Sequence, residues 1–108
     1  MNKNTNILEK CPIIANNVIF NQENSVLCVE NKGFFNLLAQ KILNKPKTTY
    51  IQLDEFGDFV FSNINGKNAL YDIANAIKCN FGEKAEPLNE RLTCFFQTLE
   101  NYGFIEWK

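Results

Sequence analysis

The carboxylates Asp54, Glu55 and Asp58 are the densest group of side chains in this chain that could do acid–base chemistry or hold a cation. They fall at the start of a helical pattern, where acidic side chains stabilise the positive end of the helix dipole, and that structural role accounts for them. Tyr71 and Asp72 could form a hydrogen-bonded pair, but neighbours in sequence diverge on a helix. The 108 residues include no histidine, which removes the commonest general base and the commonest metal ligand together. Cysteines stand at 11, 28, 79 and 94, without a C-x-x-C pair or a zinc spacing. Cys79 and Cys94 lie beside apolar stripes and read as reduced, small buried hydrophobes. Gly57 and Gly66 belong to no phosphate-cradling pattern. No nucleophile has a visible base. The expectation is a protein that is not an enzyme and has no cofactor and no metal.

The elements that could position these groups begin with Leu53, Phe56, Val60 and Ile64, one stripe of a 3.6-residue period. Asp54 suits the cap of that helix and Gly66 a left-handed stop. Asn68 suits a second cap, followed by the stripe Leu70, Ile73, Ala74, Ile77 and Phe81. Two helices joined so closely must cross steeply, as in a helix-turn-helix. A last helix carries Leu88, Leu92, Phe95, Phe96 and Leu99, with Pro87 at its first position and Gly103 just past its end. Phe104 to Trp107 closes the chain as a short extended piece.

Upstream of the helices, Val18–Phe20 and Val26–Val29 flank the polar link Asn21–Asn24 and read as a hairpin. Pro12-Ile13-Ile14 leads into it through Asn16-Asn17. After Lys32-Gly33, the residues Phe34, Phe35, Leu38, Ala39 and Ile42 recur at helical spacing up to Lys45-Pro46-Lys47, predicting a short inserted helix. Thr48–Gln52 alternates and is β-rich, a third strand near an edge. Residues 1–9 read as a frayed tail and 10–108 as one domain. The class is α+β: a small antiparallel three-stranded sheet on three helices, winged-helix-like, with the extra helix between strands two and three.

The net charge is −1, which gives no general attraction to nucleic acid or anionic lipid. A winged-helix shape suggests a DNA-binding regulator, but residues 86–102 carry Glu86, Glu90 and Glu100 against Arg91, the one arginine of the chain, so no nucleic acid is expected. No apolar run is long enough to cross a membrane, and Met1–Asn6 lacks the apolar core of a secretory signal, so a cytosolic protein without a membrane partner is expected. A self-pairing structural module is the other alternative, and monomer or weak homodimer both fit. Recognition of another chain remains. The third strand offers an edge and the last helix an apolar face, which together could take up an extended peptide. The candidate set is Thr48, Thr49, Tyr50, Ile51 and Gln52 on the strand, with Arg91, Leu92, Phe95, Phe96 and Leu99 on the helix. Phe95 favours the core, while Phe96 divides evenly between core and groove. Arg91 is either solvated beside Glu90 or a contact for a partner's carboxylate.

This ordered set resembles the PqqD-like family of peptide-recognition elements. The resemblance rests on Ile51–Gly57, Ile64–Lys67, Tyr71–Ile73, Phe81–Leu88 and Phe95–Ile105, about the last sixty residues. It implies a three-stranded sheet on a winged-helix-turn-helix bundle and a non-catalytic role. In that role the protein binds a precursor's leader peptide and presents it to a modifying enzyme, often of the radical-SAM type. It also implies that the peptide pairs with Thr48–Gln52 and packs on the helix from Leu88. The 34–45 insertion departs from the compact family pattern.

Overall fold

The computed structural model describes residues 7–30 and 48–108, and the helix expected over 34–45 lies outside them. Among the described residues the fold is α+β, with three α-helices and antiparallel strands. Strands β2 (Val18–Asn21), β3 (Val26–Glu30) and β4 (Thr48–Gln52) form one sheet in the order β2-β3-β4. Their off-beat residues pack inward: Val18, Leu27 and Val29 are buried on one face, with Phe20 and Ile51 packed against the same core. The hairpin turn is held by Asn21, whose Oδ1 accepts from the Glu23 N–H at 3.1 Å. Ser25 takes a left-handed φ of 58° there. Its hydroxyl donates to Asp58 at 2.8 Å, tying the turn to the first helix.

A second sheet was not legible in the sequence. β1 (Pro12–Ile14) pairs antiparallel with β5 (Ile105–Trp107), Ile14 opposite Ile105. Three residues are too few to show alternation, and the partners lie at opposite ends of the chain. The Lys108 N–H donates to the Cys11 carbonyl at 2.8 Å, and the Lys10 ammonium sits 5.7 Å over the Trp107 ring. Within the stretch expected to fray, Ile7–Glu9 forms a 3-10 turn with Ile7 and Leu8 packed against the core.

Helix α1 (Glu55–Ser62) is capped by Asp54, which accepts from the Gly57 N–H at 2.8 Å. Removing that acceptor leaves an orphan donor in the first turn. Asp54→Ala should therefore lower stability by about 1 kcal/mol, a fall in Tm of roughly 4 °C or more in a scan of thermal unfolding. The helix stops at Ser62 and not at Gly66. Asn63 ends it, its amide donating to the Phe59 carbonyl at 2.9 Å. Gly66 (φ 80°) instead shapes the following turn, in which Asn65 Oδ1 accepts from the N–H groups of Lys67 and Asn68.

Helix α2 (Leu70–Phe81) does not use Asn68 as its cap. The Asn68 side chain donates back to the Asn63 carbonyl at 3.0 Å. Asp72 reaches back to the Ala69 N–H at 2.9 Å, and the Lys10 carbonyl accepts from the Leu70 N–H at 2.8 Å. A residue sixty positions upstream thus supplies the cap, which no local signal could reveal. Helix α3 (Leu88–Asn101) ends as Gly103 leads one to expect. With Gly103 at φ 77°, its N–H bonds the Glu100 carbonyl and the Phe104 N–H bonds the Leu99 carbonyl, a Schellman motif. The core lies where the three helices meet the sheets: Val60 and Phe61, Leu70, Ile73 and Ile77, Leu88, Leu92 and Phe96, and Ile105.

Candidate functional site

Hydrogen-bond polarity fixes which way β4 faces. The Leu53 N–H donates to the Ser25 carbonyl at 2.8 Å, and β3 pairs Leu27 with Ile51 and Val29 with Thr49. Antiparallel ladders alternate, so the main-chain groups of Ile51 and Thr49 point to β3 while those of Thr48, Tyr50 and Gln52 point away from it. Among the described residues β4 is the edge of its sheet, paired with β3 alone. Tyr50 therefore turns a donor and an acceptor to the side of β4 that no described strand occupies. Gln52 is anchored at the far end, its amide donating to the carbonyls of Asn24 and Ser25.

The same alternation sorts the side chains. Ile51 and Thr49 share the core face with Leu27 and Val29, whereas Tyr50 lies on the outer face. There the register places Ile19, Cys28 and Tyr50 side by side across the three strands, with Ile19 68% and Tyr50 69% exposed. Sequence reasoning took Ile19 and Cys28 for ordinary hairpin residues. The signal was present: the runs at 18–20 and 26–29 are apolar at every position, which is more than a strand with one wet face needs.

The helical half of the candidate set divides. Leu92, Phe96 and Leu99 are buried, with Phe96 wholly inaccessible and its ring 5.9 Å from that of Trp107. Phe95 is half-buried. Phe95 packs against the core from its margin and Phe96 lies within it, because Leu88, Leu92, Phe96 and Leu99 make the inward stripe and Phe95 flanks it. Phe95 sits edge-on to Phe56 at 5.8 Å, and Phe56 lies 6.2 Å from Phe81. Arg91 is stacked on this group, its guanidinium 4.5 Å from the centre of the Phe56 ring. It also donates to the Lys84 carbonyl at 3.2 Å. The arginine is exposed, as one of its two readings has it, and an aromatic face and a carbonyl hold it there. Phe56 and Phe81 were missing from the candidate set because their spacing placed them on inward stripes. Both are half-buried and form, with Phe95, an aromatic ledge that begins four residues beyond the end of β4.

The groups that suggested other chemistry have structural work. Asp54 caps α1, Asp58 holds Ser25 and Asp72 caps α2. Among the described residues, no three His, Cys, Asp or Glu side chains stand close enough to hold a metal ion. Cys79 and Cys94 are free and exposed, not buried as expected. Each follows a core residue, Ile77 or Leu92, by two positions, which is more than half a turn round a helix. No described helix is long and apolar enough to cross a membrane.

The model of one protein family, described as Coenzyme PQQ synthesis protein D (PqqD), matches residues 40–105, more than half of the chain. No curated protein matches, and no solved structure does.

Proposed function

The chain belongs to the PqqD family, recognition elements for the precursors of ribosomally synthesised, post-translationally modified peptides, and from that premise we propose that it binds a precursor's leader peptide by strand addition at β4. In this reading it presents the peptide to a modifying enzyme, of the radical-SAM type, and performs no chemistry itself. Thr48–Gln52 supplies the edge, while Arg91 and Phe95 supply side-chain contacts from α3. Leu92, Phe96 and Leu99 act from beneath, by holding α3 in place.

The observation that carries this reading is that β4, among the described residues, pairs on one side alone, with the main chain of Tyr50 turned to the other. Magnitudes show why an edge alone does not suffice. Association costs roughly 4–15 kcal/mol, and a backbone hydrogen bond returns about 1 kcal/mol net. A few such bonds cannot hold a peptide. Apolar burial must supply the remainder, at about 25 cal/mol per Å². The half-buried ledge of Phe56, Phe81 and Phe95 offers such surface, and Arg91 adds fixed donors for a carboxylate. Titration calorimetry of the full chain against precursor peptides encoded beside its reading frame tests the proposal. Saturable heat at micromolar protein is the expected result, and no heat with any of them contradicts it.

A further inference from the structure

We infer that Tyr50 reads one solvent-side residue of the added peptide and selects an apolar side chain there. This rests on the strand-addition reading and sharpens it. A strand laid along β4 must hydrogen-bond to Thr48, Tyr50 and Gln52, because those residues turn their main chain outward. The same three residues carry their side chains on the outer face of the sheet. The peptide residue directly opposite Tyr50 therefore projects onto that face too, with its Cβ about 5 Å from that of Tyr50. There it becomes the fourth member of the row Ile19, Cys28 and Tyr50. Tyr50 has one flank against Cys28 and is 69% exposed, so an aromatic or β-branched neighbour on its open flank removes apolar surface from water on both partners. The outer-face positions on either side, opposite Thr48 and Gln52, meet polar side chains and carry no such demand. The peptide's outward-facing residues are thus read as indifferent, apolar, indifferent. This requirement is separate from whatever its inward-facing residues meet.

Selection from a display library of random-sequence peptides tests the inference, using the full chain as bait alongside Tyr50→Lys and Tyr50→Glu. Both substitutions lie on an exposed edge, and circular dichroism with thermal unfolding checks that the variants fold. Peptides selected by the wild type should show aromatic or β-branched residues at one alternate position, enriched about two- to fivefold over the unselected library. At that position the Tyr50→Lys pool should turn to Asp and Glu, and the Tyr50→Glu pool to Lys and Arg. If all three baits select the same residue there, the inference falls while peptide binding stands. If the wild type enriches no peptide, strand addition itself is contradicted and the inference falls with it.

Discussion

A Phe96→Ala protein should lose about 3–5 kcal/mol of folding stability, the usual cost of emptying a buried aromatic site. Native domains hold only about 5–15 kcal/mol in all, so this one change should bring the chain close to unfolding at physiological temperature. Phe96 has no accessible surface, and its ring lies 5.9 Å from those of both Phe95 and Trp107. The cavity would open where α3 meets β5, the strand that ties the chain's end to its beginning. Urea denaturation reads the loss as a lower midpoint with an unchanged slope. The companion change Phe95→Ala should behave differently. That ring is half-buried against Phe56 and Phe61, so stability falls less and peptide affinity falls more. A Phe96→Ala protein within 1 kcal/mol of the wild type would show that α3 is not seated as described.

Tyr50→Pro should weaken peptide binding about tenfold or more while leaving the fold nearly as stable. Proline removes the N–H and adds a ring where an incoming strand would lie. Prolines are tolerated on edge strands when the lost donor faces outward, and at Tyr50 it does. Tenfold corresponds to about 1.4 kcal/mol, the order of one lost hydrogen bond with some added steric cost. The control is Ile51→Pro, which removes a donor turned toward β3 and so should destabilise the sheet itself. Calorimetry for affinity and thermal unfolding for stability separate the two. If Tyr50→Pro binds peptide as well as the wild type, the docking edge lies elsewhere, with β2 the other outer strand.

Much of this was readable from residues because the relevant signals are local. The Asp54 cap, the Gly103 stop, the hairpin and the stripes of α2 and α3 each declare themselves within a few positions, and the structure contains all of them. What escaped is what depends on distant partners. The β1–β5 pair joins residues more than ninety positions apart, and α2 takes its cap from the Lys10 carbonyl. Stripes also mark faces too coarsely to rank neighbours. Phe95 and Phe96 differ by about 100° round one helix, and only the placement of α1 and β5 decides which is enclosed. Cys79 and Cys94 show the same limit, since residues beside a stripe can still face water. The candidate edge was legible as a β-rich run. Its polarity was not, because that follows from the register of β3 and from the Leu53 to Ser25 hydrogen bond.

Amide hydrogen exchange along β4, with and without a bound leader peptide, bears most directly on strand addition. The Tyr50 and Gln52 amides point outward and should exchange freely in the unbound protein, then slow on peptide addition. The Ile51 amide, already bonded toward β3, should change far less. This alternating protection, residue by residue, is the result expected of an added strand. Protection at neither Tyr50 nor Gln52, with the peptide demonstrably bound, would contradict it.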